Sequence, residues 1–415
     1  MNDSKYDWII VGGGIAGLSV AEILCREGKS VLIIEKNDQM ASETSKVFHE
    51  WLHSGALYSL VPDNLFTMRY LLGAMDDLLE FYSSFPRMNL RPTESGISIL
   101  GDDGWFNNDY IEYRYKLRKL NPVWMSLVSR SLNVMDMVNK HDWLRRRAGS
   151  EYDSSKVELK HSFTSIHKQL LSNGEFYSKM SPDFTMNSRD LLADLLSSSQ
   201  SNGLELITSA KVESINESTS FVDVETTAGI YRGDNLAICS PDVISKKFDI
   251  PIMTGFAPMA VVENVPDSET SFVELDYYTK RCINLLKKPN GVGQAGGITL
   301  NNEQKIKPYL DYIIKQHKKR NPEIRVLDDY VGLKRELVQG KEERNYLYHI
   351  NQHHSKIWSV VLGKFTLAFS MAPEFFRRVY HRNPTKITGQ GDFPSSESNV
   401  ISKTSWQEIV NKKRT

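Results

Sequence analysis

Residues 7–36 constrain the fold of this chain more than any other stretch of its sequence. The apolar run Trp8–Val11 has the length of a buried parallel strand, and an apolar pattern of helical period follows it as far as Gly28. A second apolar run, Val31–Ile34, ends at an acidic residue, Glu35. This order predicts a strand, a turn, a helix and a second strand, which is the repeating unit of an α/β fold.

The turn of this unit carries Gly12, Gly14 and Gly17 in the spacing G-x-G-x-x-G. Gly12 permits a tight turn, Gly14 lets a pyrophosphate approach the backbone, and Gly17 lets the helix pack closely on the strand. The helix then begins at Ile15 and Ala16, where free N–H groups and the helix dipole favour phosphate. The pattern predicts a dinucleotide site, although a glycine turn that serves packing alone is the alternative.

The acid at the end of the second strand indicates which dinucleotide is expected. A carboxylate at Glu35 accepts ribose hydroxyls and disfavours a 2′-phosphate, so FAD or NAD is expected rather than NADP. The neighbouring Lys36 is expected to lie at the same site.

Composition excludes several other classes of protein. The 415 residues suffice for two domains, or for one nucleotide domain with a large insertion. The chain has 51 lysines and arginines and 51 aspartates and glutamates, so its charge does not point to nucleic acid. Its three cysteines lie far apart, which predicts neither a metal site nor a disulfide framework. With no signal peptide or membrane-length apolar run, a cytoplasmic location is expected.

Polar residues follow the second strand, where the cofactor is expected to continue. Ser42, Thr44 and Ser45 can donate hydroxyls to a pyrophosphate, or one of them can cap a helix. His49 and His53 are spaced so that a helix would place them on one face. Since no third ligand is evident, zinc is not predicted, and His53 becomes a candidate for the cofactor site.

Aromatic and basic residues are concentrated between residues 104 and 150. Two interpretations are open: a solvated helical face with long basic side chains, or a helix pair that docks on a membrane surface or a protein partner. Docking on a membrane surface would place the protein at the inner face of that membrane.

Three segments resemble the D-amino-acid-oxidase-like flavoproteins, especially the glycerol-3-phosphate dehydrogenases and L-2-hydroxyglutarate oxidases. The segments are residues 11–36, the stretch SETSKVFHEWLHSGALY at 42–58, and the C-terminal pair Gly332–Arg335 and Gly363–Thr366. The resemblance implies an α/β protein with the Rossmann-like FAD fold of the two-dinucleotide-binding-domain flavoproteins, and an antiparallel-sheet substrate domain of α+β type. The implied boundaries are 1–85, 186–245 and 346–380 for FAD, 86–185 and 246–345 for the substrate domain, and 381–415 for a polar tail.

The resemblance also implies roles for particular residues. Ser54 and Gly55 would run under the flavin, and Val212 would contact adenine through its backbone. Gly363, Lys364, Phe365 and Thr366 would form the loop over the pyrimidine end of the flavin.

The implied activity is hydride transfer from a small anionic hydroxy or amino substrate, such as a 2-hydroxy acid or sugar phosphate, to flavin N5. His53 would be the base, Arg335 would bind the anionic group, and Lys364 would stabilise charge on the reduced ring. Tyr58 would line the pocket, and oxygen or a quinone would take the electrons. The alternatives are a flavoprotein with a structural or assembly role, and an NAD-linked enzyme or flavin monooxygenase.

Overall fold

Two eight-stranded sheets form the frame of the part of the chain that the structure describes. The computed structural model describes residues 5–55, 57–58, 66–93, 96–101, 103–116, 123, 126, 176–276, 281–337, 347–387 and 399–414. Within these residues, no helix combines the length and the apolar composition that crossing a membrane requires.

The strands and helices in the described part of the chain are numbered in chain order. The strands are β1 (Lys5–Val11), β2 (Val31–Ile34), β3 (Trp51–Leu52), β4 (Leu90–Thr93), β5 (Gly96–Ile99), β6 (Phe106–Lys116), β7 (Phe176–Met186), β8 (Leu204–Ile207), β9 (Val212–Glu217), β10 (Val222–Thr226), β11 (Gly229–Ile238), β12 (Ile252–Glu263), β13 (Phe272–Asp276), β14 (Arg281–Lys288), β15 (Val292–Gly297), β16 (Arg325–Leu337), β17 (Tyr348–Gln352) and β18 (Ile357–Leu362). The helices are α1 (Ile15–Arg26), α2 (Phe66–Tyr82), α3 (Ser188–Ser201), α4 (Pro241–Phe248), α5 (Ile306–Arg320), α6 (Ala368–Tyr380) and α7 (Ser405–Arg414).

The first sheet has the order β17-β18-β11-β1-β2-β8; in addition, β10 pairs with the start of β11, and β9 pairs with β10. From β18 to β8 its strands are parallel, so the carboxyl ends of β1, β2 and β11 meet at one edge. Strand β1 is apolar on both faces. Trp8 and Ile10 pack in a core with α1 and α3, while Ile9 and Val11 pack in a second core with β10. The predicted strand-turn-helix-strand unit is therefore confirmed.

The second sheet has the order β16-β12-β15-β14-β13-β6-β7-β3, and all but one of its pairings are antiparallel. This confirms the antiparallel sheet expected from the substrate domain. The expectation of helices from residue 104 onward is wrong for residues 106–116, which form β6. Here aromatic and basic residues alternate with the period of a strand, and Tyr113 and Tyr115 are fully buried. Apart from 123 and 126, residues 117–150 lie outside the described residues.

Residues 35–51, which we call the cofactor loop, connect the two sheets. The loop leaves the first sheet at Glu35 and enters the second where Trp51 of β3 pairs with Thr185 of β7. The loop therefore borders the space between the second sheet and the carboxyl ends of the strands of the first sheet.

The C-terminal segment 399–414 is docked on this loop, although the sequence suggests a polar tail. The backbone N–H of Met40 donates to the carbonyl of Val400 (2.8 Å), and that of Ser402 donates back to the Met40 carbonyl (3.0 Å). Lys46 forms an ion pair with Glu408 of α7 (Nζ–Oε1 2.9 Å). A bridge and an ion pair thus fix the segment to both halves of the loop.

A buried ion pair lies where the loop, β14 and α7 meet. Lys288 Nζ lies 2.5 Å from Glu50 Oε2, and both side chains are almost completely buried. Glu50 also accepts hydrogen bonds from the backbone N–H of Ser188 (3.0 Å) and from Trp406 Nε1 (2.7 Å). The pair and these hydrogen bonds therefore join four parts of the chain that are distant in sequence.

Replacing Lys288 by methionine is expected to lower the free energy of unfolding by about 3–5 kcal/mol, because it leaves the buried Glu50 carboxylate without its cation. Denaturation by urea measures this change. The matched control is Lys307→Met, which removes an exposed ion pair with Asp311 on α5 and should cost under about 1 kcal/mol. Equal losses in the two variants would contradict the expectation.

Candidate active site

A cavity of about 520 Å³ lies at the carboxyl ends of β1, β2 and β11. The glycine turn forms its floor. Gly12 has φ +107°, and a Cβ there would lie 3.3 Å from the backbone carbon of Cys239. A Cβ at Gly17 would lie 2.0 Å from the Gly12 carbonyl oxygen, so α1 approaches the turn too closely for any side chain. Gly14, Ile15 and Ala16 also line this first cavity.

The hydroxyl residues of the cofactor loop surround the N-terminus of α1. The backbone N–H of Ile15 donates to Ser45 Oγ (3.1 Å), and Thr44 Oγ1 donates to the Leu333 carbonyl (3.2 Å). Ser42 Oγ is buried and has no hydrogen-bond partner within the described part of the chain. These three hydroxyl residues, Ser42, Thr44 and Ser45, line the first cavity. A helix N-terminus beside an unpartnered buried hydroxyl suits the pyrophosphate of a dinucleotide.

Glu35 is buried at the edge of the first cavity. Its Oε2 accepts a hydrogen bond from the backbone N–H of Gly13 (2.7 Å), and its Oε1 accepts one from the backbone N–H of Asn37 (2.9 Å). The carboxylate therefore holds the glycine turn as well as facing the cavity. Lys36, which also lines the cavity, forms an ion pair with Glu43 (2.6 Å). Val212 of β9 lines the same space.

A second cavity of about 350 Å³ continues from the first toward the second sheet. Ser45 lines both cavities, and Leu362 of the first is followed in the chain by Gly363 of the second. The two together form an elongated site, which suits an extended dinucleotide. Four basic side chains line the second cavity, namely His49, His53, Lys334 and Lys364.

His53 is held from several sides. Its backbone N–H donates to Thr366 Oγ1 (3.0 Å), and its ring stacks on Trp51 with 4.2 Å between centroids. The edge of Tyr58 is next to the ring, at 5.8 Å between centroids. Burial lowers the pKa of His53, which Asp183 opposes, and the charge of Lys364 lowers it further. The imidazole is therefore neutral at neutral pH and can accept a proton.

The loop after β18 closes the second cavity. Gly363, Lys364 and Phe365 line it, and Lys364 Nζ lies 5.0 Å from the centroid of the Tyr58 ring. Thr366 is fully buried and does not line the cavity; its hydroxyl accepts the hydrogen bond from the His53 backbone. Of the other residues predicted at the flavin, Ser54 is also fully buried. Its hydroxyl donates to Asp183 Oδ1 (2.5 Å).

Gly55 is likewise tied into the fold. It has φ +96°, and a Cβ there would lie 2.8 Å from the carbonyl oxygen of Met68 on α2. This glycine therefore lets the chain pass close to α2 after His53.

Arg335 lies in a different place from the one expected. It lines the first cavity, its side chain is 45% exposed, and it pairs with Asp242 of α4 (3.2 Å). Its neighbour Lys334 points to the opposite face of β16, as successive strand residues do, and lines the second cavity. Lys334 Nζ donates to the Gly363 carbonyl (2.6 Å) and pairs with Glu336. The positive charge on the His53 side of β16 thus comes from Lys334.

His49 and Asp183 also belong to this site, although sequence reasoning gave neither a role. His49 Nε2 is buried without a hydrogen-bond partner in the described structure and faces Gly296. Burial lowers the pKa of His49 to about 3, and the charge of Lys288 contributes. His49 and His53 do not share a helix, because the chain is extended at residues 51–52. For Asp183, no local pattern marks a single acid within β7.

Comparison with known proteins agrees with this geometry. The model of the family described as DAO, FAD dependent oxidoreductase, matches residues 7–282. One curated protein, a UDP-galactopyranose mutase of Mycoplasma pneumoniae, is 34% identical over 59 residues. That match spans 12% of this chain and only 15% of the mutase.

Solved structures share the fold over nearly the whole chain. Glycine oxidase from Geobacillus kaustophilus superposes with a TM-score of 0.63 at 14% identity, covering 96% of this chain and 100% of that one. An L-α-glycerophosphate oxidase from Mycoplasma pneumoniae, solved with FAD bound, has a TM-score of 0.64 at 15% identity, covering 93% and 98%. At these identities the similarity shows the fold alone.

Proposed function

Since this chain belongs to the family of FAD-dependent oxidoreductases, we propose that it oxidises a small anionic hydroxy or amino compound, such as a 2-hydroxy acid, an amino acid or a sugar phosphate. FAD, when bound, accepts the hydride from the substrate carbon. One observation carries the proposal: the second cavity holds a neutral histidine beside two lysines.

The residues of the first cavity would hold the nucleotide part of FAD. The N-terminus of α1, together with Ser42 and Ser45, would bind the pyrophosphate, and Glu35 would accept the ribose hydroxyls. Val212 would contact the adenine. The flavin end would lie toward Gly363–Phe365, because this loop lines the second cavity and directly follows Leu362, which lines the first.

His53 would take the proton from the substrate hydroxyl or amine. A general base must be unprotonated at the working pH, and burial among cations keeps the pKa of His53 below its ordinary value. The stacked Trp51 ring and the backbone bond to Thr366 restrict the position of the imidazole. A base held in this way needs little reorganisation when the substrate binds.

Lys334 would bind the anionic group of the substrate, and Lys364 would stabilise negative charge at the flavin end of the site. Both line the second cavity, whereas Arg335 lines the first. Ala257, Val273 and Leu275 also line the second cavity, where their apolar side chains exclude water. Low water content strengthens the attraction between an anion and the lysines.

We expect Lys334→Gln to raise the KM for an anionic substrate at least about tenfold, since one charge-assisted hydrogen bond is worth roughly 1.5–3 kcal/mol. The matched control is Arg335→Gln on the opposite face of the same strand, which should leave KM within about twofold. Steady-state kinetics with both variants measure this difference. Removing Lys334 leaves Glu336 buried, so the double variant Lys334→Gln/Glu336→Gln checks that the effect on KM does not come from that carboxylate. The reverse order of effects would restore the role expected for Arg335.

The function itself is tested with the purified, FAD-loaded protein under anaerobic conditions. A panel of 2-hydroxy acids, amino acids and sugar phosphates is added, and the flavin absorbance near its visible maximum is followed. Bleaching by an anionic member supports the proposal, and admitting oxygen or a quinone afterwards identifies the electron acceptor. A protein that takes up no FAD, or whose flavin no member bleaches, would refute it.

A further inference from the structure

Asp183 of β7 is a fully buried carboxylate next to His53. Its Oδ1 accepts hydrogen bonds from the backbone N–H (2.8 Å) and the hydroxyl (2.5 Å) of Ser54. Its Oδ2 accepts hydrogen bonds from Trp51 Nε1 (2.8 Å) and from the Tyr113 hydroxyl (2.5 Å). The same Oδ2 lies 3.7 Å from Nδ1 of His53, which is buried and has no hydrogen-bond partner within the described residues, so the two groups interact through charge. The carboxylate is thus built into the wall behind the imidazole.

These donors keep Asp183 ionised. Burial alone would raise its pKa, but the nearby His53 and the hydrogen bonds from Ser54 and Tyr113 hold the pKa below its ordinary value. A negative charge therefore lies on the Nδ1 side of the His53 ring at neutral pH. Such a charge favours a proton on Nδ1 and stabilises the imidazolium form.

The other groups that face His53 act in the opposite sense or are neutral. Lys364, from the loop after β18, and Lys334 of β16 both lower the pKa of His53, whereas Asp183 raises it. On the remaining sides lie His49, which burial keeps neutral, and the ring of Tyr58. The stacked Trp51 carries no charge. Glu336 forms an ion pair with Lys334, and Glu50, which also lines the second cavity, forms one with Lys288. Asp183 is therefore the carboxylate beside the His53 ring that opposes the lowering of its pKa by the two lysines.

We propose that Asp183 is a positioning residue for His53, holding the proton on Nδ1 so that Nε2 faces the second cavity as the proton acceptor. The inference rests on the proposed function, which assigns His53 as the base. The substrate O–H or N–H bond breaks and its proton forms a bond to Nε2, while the C–H bond breaks and the electron pair left on oxygen or nitrogen forms the C=O or C=N bond. Bound FAD would be the acceptor of the hydride. Nδ1 keeps its own proton throughout, and Asp183 stabilises the resulting positive charge without taking a proton itself.

The main test is the pH titration of His53 in the FAD-loaded protein, followed by NMR on ¹⁵N-labelled histidines. The signal of His53, one of ten histidines, is identified by its absence in His53→Gln. In Asp183→Asn we expect the His53 titration to move down by about one pH unit or more, since an opposite charge at this distance is removed. An unchanged titration would overturn the inference.

Ser54→Ala is the matched control. It removes a hydrogen bond to Oδ1, the oxygen that does not face His53, and leaves the charge of Asp183 in place. We expect the unfolding temperature to fall in both variants, and the downward titration shift to occur only in Asp183→Asn. If both variants shift the titration down alike, Asp183 has a merely structural role and the inference fails.

Tyr113→Phe extends the test in case Asp183→Asn does not fold. It removes a hydrogen-bond donor from Oδ2 of Asp183, the oxygen nearest to His53. The negative charge on that oxygen is then less neutralised by hydrogen bonds and stabilises the imidazolium form more strongly, so the pKa of His53 should rise. A His53 titration that stays constant or falls in Tyr113→Phe would overturn the inference.

Different results refute the proposed function and the proposed role of Asp183. If no substrate bleaches the flavin, the proposed function is refuted. If a substrate bleaches the flavin but the His53 titration is unaffected by Asp183→Asn, only the role of Asp183 is refuted.

Discussion

Replacing Gly17 by alanine will reduce FAD affinity by roughly a hundredfold or more. The new Cβ would lie 2.0 Å from the Gly12 carbonyl oxygen and 3.2 Å from its carbon, so the turn or α1 must move. Relieving such an overlap costs about 3 kcal/mol, and each 1.4 kcal/mol corresponds to a tenfold change in affinity. In the free protein the turn can shift to relieve the overlap, and because this turn forms the floor of the first cavity, binding FAD must restore its position at that cost. Titration of the apoprotein with FAD, followed by flavin fluorescence, measures the affinity.

Gly73→Ala is the control for this prediction. Gly73 lies inside α2, and no heavy atom lies within 4 Å of the Cβ it would gain. Alanine there should preserve FAD affinity and stabilise the helix by about 0.5–1 kcal/mol. If Gly17→Ala binds FAD as tightly as Gly73→Ala does, close packing at the turn does not position the cofactor.

Replacing His53 by glutamine will slow anaerobic flavin reduction by about 10²–10⁴-fold while FAD stays bound, because the substrate proton then lacks a base. The pH profile gives a second readout. Burial lowers the pKa of His53, so the neutral base persists as pH falls below about 6.5, the ordinary histidine value. The wild-type rate should therefore decline only below that pH, and this decline should be absent in the variant. Stopped-flow absorbance measures both effects.

His353→Gln is the control for the loss of a histidine. His353 stacks on Phe248 at 3.7 Å between ring centroids, and it lines neither cavity. It should change the reduction rate by less than about twofold. An unchanged rate in His53→Gln would remove His53 as the base, and the second cavity would then need another proton acceptor.

Local patterns in the sequence were enough to predict the first sheet and the first cavity. The apolar runs at Trp8–Val11 and Val31–Ile34 form neighbouring parallel strands, and the glycines between them form the turn. These features depend on the period of nearby residues, which a sequence displays directly.

The wall of the second cavity could not be predicted in this way. In β16, alternation of apolar residues would turn Leu333 inward together with Arg335, yet Leu333 is exposed and Lys334 is buried. Lys334 tolerates burial because it pairs with Glu336 and donates to the Gly363 carbonyl, and the latter lies far away in the sequence. Asp183 is a similar case, since its four hydrogen-bond donors come from Trp51, Ser54 and Tyr113. Contacts between distant segments decide these positions, and local periodicity does not contain them.

The docking of segment 399–414 on the cofactor loop has a consequence for the order in which the protein folds. The loop is synthesised early, but the partners of Glu50 and Lys46 on α7 follow 356 and 362 residues later. Contacts between residues so far apart in sequence form slowly, and they cannot form before α7 has left the ribosome. We therefore expect a nascent chain to pair β1, β2, β8 and β11, all synthesised by residue 238, well before it gains full affinity for FAD.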